Sequence, residues 1–501
     1  MKIFTVPQIR ALDEYTIAHE PIASIDLMER AARTFSKWFS EKFPDRRRRV
    51  HVLCGPGNNG GDGLAIARLL SQDHYSVNAY VLGIGRSRSP DCATNLRRLK
   101  QSRCCPLVEV TKGGDTPCFD AGAIVIDAVF GSGLSRPVEG YWGGFLEAVN
   151  KQPVKRVAVD IPSGMFADEP TTGISVHAHY TFSFEMPKLG FFFPENAQRT
   201  GEWTYGSIGL HPDFIEKEPT PYYYTDAVAA GAFVRPRPKF SHKGRYGHAL
   251  LVAGSYGMVG AAVLAARATL RSGVGLLTIH APRCAYTVLQ TSVPEAMVHT
   301  DTHEYFITGL QTDASKYSAI GIGPGLGTAP LTARALEALL SATKKPLVLD
   351  ADALNLLAAN PSLMTKIPKG SILTPHLKEF ERLFGPASNS FERNQLQRRK
   401  AKEPGLYIVL KGAHTAIACP DGTCHFNSTG NPGMATGGAG DVLTGIITGL
   451  LAQGRPSFEA AVFGVYLHGQ AGDRAAKRWG MDAMVAGDII NEQGIAGSED
   501  C

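Results

Sequence analysis

Short apolar runs alternate with amphipathic stretches along most of the chain. An apolar run without polar alternation is typical of a strand buried on both faces, and helical spacing after most runs indicates a parallel sheet covered by helices. Two helical patterns open the chain, the first near Pro7, because proline suits the first turn of a helix. We therefore predict an α/β fold. The strands predicted in the first half cover residues 50–54, 77–82, 124–129, 157–161 and 180–184.

The alternation stops once and then restarts. Prolines accumulate between residues 210 and 239, which is typical of a connecting segment. We predict a first domain over residues 1–215, a proline-rich linker over 216–238 and a second domain over 239–501. In the second domain the predicted strands cover 248–253, 276–280, 319–322, 347–349, 371–373 and 406–410, and long helices cover 259–271, 331–342 and 441–452.

Length and composition agree with two domains and argue against several function classes. A chain of 501 residues exceeds one ordinary core, and 44% apolar with 19% charged residues is typical of a globular protein. A net charge of +5 gives little support for nucleic-acid binding. The sequence has neither the apolar core of a signal peptide nor a stretch approaching the roughly 20 apolar residues of a membrane-spanning helix. Nine scattered cysteines without a C-x-x-C pair favour a reducing compartment. We expect a cytoplasmic homo-oligomer that binds neither nucleic acid nor membrane.

A glycine-rich loop follows the first apolar run. Residues 55–60 have the G-x-G-x-x-G spacing of dinucleotide-binding loops, although the same spacing fits an ordinary turn between a strand and a helix. The loop also contains the amides Asn58 and Asn59 and the acid Asp62, which would repel a bare pyrophosphate. An acid beside two amides suits a cation or a sugar edge better.

Two acids and a second glycine-rich loop follow other predicted strands of the first domain. Asp127 and Asp160 should lie at the carboxyl edge of the sheet, where open α/β folds bind ligands. Each acid could instead cap the helix that follows it. The loop 131–137 contains Arg136, which can bind phosphate through two hydrogen bonds. Lys188 is a further candidate.

Together these motifs resemble the epimerase domain of the NAD(P)H-hydrate repair proteins over about residues 1–215, in the segments G-P-G-N-N-G-G-D-G, D-A-V-F-G-S-G-L-S-R, D-I-P-S-G and P-K-L-G. That family interconverts the R and S forms of NADH and NADPH hydrated at C6 of the nicotinamide ring, called NADHX and NADPHX. The resemblance implies a Rossmann-like three-layer sandwich and a potassium ion held by Asn59, Asp127 and Ser163. An acid–base pair such as Asp160 and Lys188 would suffice for the chemistry. The implied substrate contacts are Asn58, Asn59, Gly60, Gly61, Asp62, Gly131, Ser132, Gly133, Leu134, Ser135, Arg136, Pro137 and Asp160.

Another glycine-rich loop, at residues 437–441 of the second domain, opens a helix near the other end of the chain. It resembles the loop of ribokinase-like folds, in which backbone N–H groups stabilise charge on a transferred phosphoryl group. Asp441 would then take the proton of the attacking hydroxyl. A tight turn in which Asp441 caps the helix is the alternative. Further glycine-rich segments at 254–262 and 323–327 favour the ribokinase-like interpretation.

The segment 373–380, L-T-P-H-L-K-E-F, separates two kinds of ribokinase-like protein. Small-molecule kinases of this fold usually have Asn where His376 stands. The His form, with D-A-D-A-L-N at 350–355 and K-G-A-H-T at 411–415, is similar to the NAD(P)H-hydrate dehydratases over about residues 225–495. The resemblance implies a ribokinase-like three-layer α/β/α domain that binds ADP or ATP with Mg²⁺. The implied nucleotide contacts are Lys411, Gly412, Ala413, His414, Thr415 and Gly440, and the implied hydrate contacts are Ala261, Ala262, Gly325, His376 and Asp441.

The mechanism predicted for the second domain is phosphorylation followed by elimination. Asp441 would deprotonate the C6 hydroxyl, which attacks the terminal phosphoryl group of the nucleotide. Phosphate then leaves C6, and loss of the neighbouring proton restores NADH or NADPH. Glu379 is a candidate for orienting the water shell of magnesium, which needs few protein ligands.

We therefore predict a bifunctional repair enzyme. Its isomerase domain would epimerise R and S hydrates, and its lyase domain would dehydrate the S form at the expense of ADP or ATP. ADP is favoured because the single-chain fusion resembles bacterial and archaeal members. Two alternatives stay open. One is a pyrimidine- or thiazole-type small-molecule kinase fused to a non-catalytic nucleotide-binding domain, and the other is a first domain that binds without catalysis.

Overall fold

The computed structural model describes residues 1–85, 87–310 and 313–494 and divides the chain into two compact units. The division falls between Thr220 and Pro221, inside the segment 216–238 predicted as a linker. That segment is not devoid of regular structure, because it contains a short strand and a short helix. The accumulation of prolines around them conceals both from a search for periodicity.

The N-terminal unit is built on a parallel sheet. The strands of this unit are β1 (Lys2–Ile3), β2 (Arg49–Cys54), β3 (Ser76–Leu82), β4 (Leu107–Val110), β5 (Ile124–Ala128), β6 (Lys155–Val159), β7 (Tyr180–Phe184) and β8 (Glu202–Gly206). Seven of them form one sheet in the order β4-β3-β2-β5-β6-β7-β8, and every pair in it is parallel. The chain runs outward from β2 through β3 and β4 and then returns to the other side of β2 with β5. The strand order therefore reverses between β2 and β5, which is where open parallel sheets bind ligands.

Helices cover both faces of this sheet. They are α1 (Val6–His19), α2 (Ser24–Lys42), α3 (Asn58–Gln72), α4 (Pro90–Ser102), α5 (Gly140–Lys151), α6 (Ala197–Thr200) and α7 (Pro212–Lys217). Val52 and Ile126 belong to a buried cluster with α2 and α3, whereas the adjacent residues Leu53 and Val125 belong to another with Phe145 of α5. Successive strand residues point to opposite faces, so the predicted three-layer sandwich is confirmed.

The C-terminal unit contains a larger mixed sheet. Its strands are β9 (Tyr222–Thr225), β10 (His248–Val252), β11 (Leu276–Ala281), β12 (Met297–Thr300), β13 (Ala319–Ile322), β14 (Leu347–Leu349), β15 (Ile372–Leu373), β16 (Tyr407–Leu410), β17 (Ala416–Ala418) and β18 (Cys424–Asn427). They lie in the order β9-β18-β17-β16-β15-β14-β13-β10-β11-β12. β17 is antiparallel to β16 and β18, and the other pairs are parallel. Here the strand order reverses between β10 and β13.

Helices also cover both faces of the second sheet. They are α8 (Ala227–Gly231), α9 (Val259–Arg271), α10 (Tyr286–Ser292), α11 (Pro330–Ala342), α12 (Asp352–Ala359), α13 (Leu377–Phe384), α14 (Ser390–Lys402), α15 (Ala439–Ala452), α16 (Ser457–Trp479) and α17 (Ala486–Asn491). Leu251 of β10 packs with α9, α15 and α16, and its neighbour Leu250 packs with α11 and α12. This unit is therefore a three-layer α/β/α domain as well. Within the described residues, no helix is both long and apolar enough to cross a membrane.

Candidate functional sites at the two strand-order reversals

The loops that follow β2 and β5 lie together at the reversal of the first sheet. The amide of Gly55 donates to the carbonyl of Ala128 (3.0 Å), and the Asn59 side-chain amide donates to the Phe130 carbonyl (3.1 Å). A side chain at Gly60 would collide with the carbonyl of Gly55. The spacing of these glycines is thus required for the sharp entry into α3, which begins at residue 58.

Beside these loops lies a cavity of about 710 Å³. Of the residues predicted for the first site, Asn58, Asn59, Asp62, Gly131, Ser132, Gly133, Leu134, Asp160 and Lys188 line it. Gly60, Gly61, Ser135, Arg136 and Pro137 do not line it. The glycines are buried at the start of α3, and residues 135–137 are exposed at the far end of their loop.

An ion pair lies in the wall of this cavity. The Lys188 ammonium is 2.7 Å from Oδ1 of Asp160, and the two side chains are only 1% and 14% exposed. Lys188 also donates to the Ser183 hydroxyl at 3.0 Å. Asp160 has a positive φ of 64° and accepts the amide of Phe184 at 3.1 Å. Asp160 does not cap a helix, because it lies in the loop after β6, and this excludes one of the two alternatives left open by the sequence.

Four further carboxyl groups line the cavity with Asp160, and two of them, Asp13 and Asp62, have raised pKa values. Asp13 of α1 has a pKa raised to about 7, first by burial and then by the negative charge of Asp160. Burial, followed by the charges of Asp160 and Asp13, raises the pKa of Asp62 well above its usual range. Asp62 belongs to a glycine-rich motif that is recognisable in the sequence, whereas Asp13 belongs to no such motif. The only signal for Asp13 was an acid within an amphipathic helix, which is ordinarily a solvated position.

The three residues predicted to hold potassium lie together at this cavity, which Asn59 lines. Asp127 accepts the amide of Ser163 at 2.8 Å and its hydroxyl at 2.5 Å. The Phe130 amide donates to the same hydroxyl at 2.8 Å, and Asn59 contacts the Phe130 carbonyl. The helix after β5 has Glu139 as its N-cap, so Asp127 does not cap it.

The chemistry of this group fits a monovalent cation. Burial raises the pKa of Asp127 to about 6, against the lowering effect of its hydrogen bonds with Ser163. No ion pair with Asp127 occurs in the part of the chain that the structure describes. Carboxylate, amide, hydroxyl and carbonyl oxygens are hard donors that suit an alkali cation, and a cation would offset the buried charge.

The second site lies at the reversal of the C-terminal sheet. The loops after β10 and β13 are joined by a hydrogen bond from the Gly254 amide to the Pro324 carbonyl (2.9 Å). Gly325, with φ of 58°, lies against Ala261 at the start of α9, where a Cβ would come within 3.1 Å of the alanine Cβ. Of the predicted hydrate contacts, Gly325, Ala261 and the adjacent Ala262 are therefore together, although Ala262 is buried.

Asp441 lies in the first turn of α15. The N-cap of this helix is Gly438, with φ of 90°, so Asp441 is not the cap and the alternative interpretation of this loop is excluded. Burial is the largest cause that raises the pKa of Asp441 to about 7, and the charge of Asp350 adds to it. A carboxyl group with a pKa near neutrality is suited to act as a base at neutral pH.

A network of charges extends from Asp441. The Lys411 ammonium is 2.9 Å from Oδ1 of Asp350, whose Oδ2 accepts the Thr444 hydroxyl at 2.6 Å. A Cβ at Gly440 would come within 3.4 Å of the Lys411 ammonium. Lys411 and Gly440, both predicted nucleotide contacts, are thus neighbours at the start of α15. In the sequence Asp350 is recognisable only as part of the motif at 350–355, and no local signal indicates its pairing with Lys411.

His376 and Glu379 form a reciprocal cap at the start of α13. Nδ1 of His376 accepts the amides of Lys378 and Glu379, and the Glu379 carboxylate accepts the His376 amide at 2.8 Å. Nε2 of His376 is 3.3 Å from the same carboxylate, which lies 4.0 Å from the Lys411 ammonium. His376 is 48% exposed, so its ring can contact a ligand while it caps the helix.

The remaining predicted nucleotide contacts form the turn between β16 and β17. The Gly412 amide donates to the Thr415 hydroxyl at 3.3 Å, and His414 contacts the carbonyl of Asn427. Burial lowers the pKa of His414, which favours the neutral form of its imidazole. Gly412 and Ala413 are exposed at the tip of the turn. The described residues contain no group of three or more His, Cys, Asp or Glu side chains that could hold a metal ion.

Two family models match the chain. Residues 24–190 match the YjeF-related protein N-terminus, and residues 249–493 match NAD(P)H-hydrate dehydratase. Each range falls within one of the two units and contains most of its candidate site. Asp13 and the other residues of α1 that line the first cavity precede the first range.

Full-length relatives match across both units. The bifunctional NAD(P)H-hydrate repair enzyme Nnr of Moorella thermoacetica is 36% identical over 98% of this chain and 96% of its own. The enzyme of the same name from Coxiella burnetii is 34% identical over 96% of each chain. Among solved structures, the ADP/ATP-dependent NAD(P)H-hydrate dehydratase of Bacillus subtilis, co-crystallised with ATP and Mg²⁺, is 33% identical. It covers 54% of this chain and 96% of its own, with a TM-score of 0.48.

Proposed function

This chain belongs to the family of bifunctional NAD(P)H-hydrate repair enzymes, and from that we infer that its two units carry out the two reactions of such repair. The N-terminal unit epimerises the R and S hydrates of NADH and NADPH at C6. The C-terminal unit dehydrates the S hydrate at the expense of ADP or ATP. The observation that supports this division best is that each sheet has a charged site at its own strand-order reversal, one around Asp160 and one around Asp441.

In the epimerase site, we assign the C6 chemistry to the Asp160–Lys188 pair. Epimerisation requires one bond at C6 to break and re-form, which an acid–base pair assists by moving a proton. The Lys188 ammonium lies 2.7 Å from the Asp160 carboxyl group, so the two side chains are close enough to act as a pair. The loops around Asn58 and Ser132 line the same cavity and are proposed to bind the pyrophosphate and ribose of the hydrate.

We further propose that Asn59, Asp127 and Ser163 hold a potassium ion, with the Phe130 carbonyl as an additional oxygen ligand. Such an ion would supply positive charge beside the pyrophosphate-binding loops. Crystals grown with thallium(I), which replaces potassium, should show an anomalous peak among these oxygens. A peak elsewhere, or a phosphate at this position, would refute the assignment. Asp127→Asn should abolish the peak, whereas Asp115→Asn, an exposed loop substitution, should leave it.

In the dehydratase site, Asp441 is proposed to take the proton of the C6 hydroxyl as that oxygen attacks the terminal phosphoryl group. Lys411, held by Asp350, lies beside Gly440, where its charge and the amides at the start of α15 can bind the phosphates. Magnesium would neutralise the charge of the phosphates. Glu379 and Asp350 both lie close to Lys411, and they are the acids proposed to orient the water shell of the magnesium ion.

The test of this function is recovery of NADH from its hydrate. Acid-hydrated NADH is mixed with the enzyme, magnesium and either ADP or ATP, and the absorbance of the dihydronicotinamide ring is followed. We expect recovery only when a nucleotide is present. Full recovery without nucleotide would refute the dehydratase assignment. Incubation with pyrimidine or thiazole alcohols and ATP, followed by detection of phosphorylated product, tests the alternative kinase function.

A further inference from the structure

The epimerase cavity contains more carboxyl groups than cations to pair with them. Five carboxyl side chains and two cations line it, namely Asp13, Glu14, Asp62, Asp160, Glu185, Arg10 and Lys188. The buried ammonium of Lys188 lies 2.7 Å from Asp160. Within residues 1–85, 87–310 and 313–494, neither Asp13 nor Asp62 has an ion pair or a side-chain hydrogen bond. Carboxyl groups that share an enclosed site without enough cations retain a proton.

Asp13 lies on a different element from the other two aspartates of the cavity. It projects from α1, whereas Asp160 follows β6 and Asp62 lies near the start of α3. Arg10, one turn earlier on α1, lies against Gly133 of the loop 131–137 and makes no ion pair with Asp13. The other charged groups that act on Asp13 are Glu14, Glu185, Asp160 and Lys188. Because the pKa of Asp13 is about 7, its acid and carboxylate forms coexist at neutral pH.

We propose that Asp13 is a second catalytic residue of the epimerase. It supplies the acid, Asp160 is the base, and Lys188 of the pair assigned above holds the Asp160 carboxyl group in place. This inference rests on the epimerase function proposed above for the N-terminal unit. Asp13 donates its proton to the C6 hydroxyl, the C6–O bond breaks and water leaves with the bonding electrons. As the C6–O bond breaks, the lone pair of N1 forms a double bond between N1 and C6.

Water then returns to the other face of C6. Its oxygen forms the new C6–O bond, N1 recovers its lone pair and the Asp160 carboxylate takes the proton released by the water. One water leaves and one enters, so the atoms balance, and one proton has passed from Asp13 to Asp160. The reverse epimerisation uses the two aspartates in exchanged roles, and both directions require the pair to carry one proton.

The experiment measures epimerisation by the full-length enzyme without nucleotide, so that dehydration cannot proceed. Purified R hydrate is incubated with enzyme, and the S hydrate is quantified by chromatography after subtraction of the spontaneous rate. Asp13→Asn should lower kcat by about 10²–10⁴-fold, the range typical of loss of a proton-transfer group, with KM nearly unchanged. Asp13→Glu restores the acid and should recover part of the rate. In ¹⁸O-water the wild type should place ¹⁸O at C6 of the S hydrate.

The pH profile separates a proton-transfer role from a structural one. The wild-type kcat/KM should fall as pH rises above about 7, because Asp13 then loses the proton that the pair requires. Asp13→Asn should lose this descending limb. Asp115→Asn, on an exposed loop away from the cavity, is the matched control and should keep both rate and profile.

Three outcomes would overturn the proposal. They are an Asp13→Asn rate within twofold of wild type, an effect confined to KM, or an S hydrate that retains its original oxygen. If Asp160→Asn loses activity while Asp13→Asn retains it, the epimerase function stands and Asp13 is not its acid. A wild-type enzyme no faster than the spontaneous reaction would refute the epimerase function itself.

Discussion

At the scale of single residues, Asp441 is the proposed base of the dehydratase, and its protonation state should therefore control the rate. Its pKa of about 7 results from burial and from the charge of Asp350. Asp441 can act as a base only in its carboxylate form, and it loses that form as the pH falls through about 7. We expect kcat/KM for dehydration to rise with pH through this range and to level off above it. Asp441→Asn should lower the rate by about 10²–10⁴-fold and remove the pH dependence.

Thermal stability distinguishes the loss of the base in Asp441→Asn from a loss of folding. Because the folded-state pKa of Asp441 lies above its ordinary value, the ionised carboxylate destabilises the folded protein at pH 8. Asp441→Asn should therefore have a Tm at pH 8 no lower than that of wild type. Asp482→Asn, an exposed substitution in the same unit, is the control for both measurements. An unchanged rate in Asp441→Asn would exclude the residue as the base.

At the scale of elements, close packing of α15 on α9 fixes the position of the dehydratase site. A Cβ at Gly445 would lie 2.9 Å from the Ala268 Cβ, and the Thr269 hydroxyl donates to the Gly445 carbonyl at 3.1 Å. Gly445→Ala must therefore push the helices apart. We expect the free energy of unfolding to fall by about 1–3 kcal/mol, the usual cost of overpacking, as measured by urea denaturation.

The same substitution should reduce dehydration, because α15 carries Gly440 and Asp441 at its start. Gly260→Ala, on the exposed side of α9, is the matched control for stability, since a Cβ there meets no atom within 4 Å. It should leave the unfolding free energy unchanged or slightly raised, because alanine favours helices over glycine. Equal stability of the two variants would contradict the packing argument.

At the scale of the whole molecule, each unit has its own buried clusters and its own site. Single substitutions should therefore separate the two activities. With Asp160→Asn, the S hydrate should still be repaired, while a racemic mixture should stall near half recovery unless spontaneous epimerisation continues. With Asp441→Asn, epimerisation should continue without recovery of NADH. Both are followed by the absorbance assay with chiral chromatography. Recovery of the R hydrate by Asp160→Asn at the wild-type rate would contradict the assignment.

The local pattern of the sequence determined the central strands and the long helices. The predicted helix 259–271 coincides with α9, and β2, β3, β5 and β10 lie within a residue or so of their predicted ranges. Strands buried on both faces form continuous apolar runs, and long amphipathic helices have a clear period, so neither needs tertiary information to be found. The glycine-rich loops were also recognisable, because their spacing is set by the backbone close to them.

Only the tertiary structure decided the strands at the sheet edges and the composition of the two sites. β4, β8 and β12 are short and partly exposed, and β9 lies among prolines, so their pairing depends on neighbours far away in sequence. Asp13 joins Asp160, and Asp350 joins Lys411, because the strand order and the helix packing bring separate segments to one edge of each sheet. Burial and neighbouring charge then set the pKa values of Asp13 and Asp441, and both depend on the folded chain rather than on local sequence.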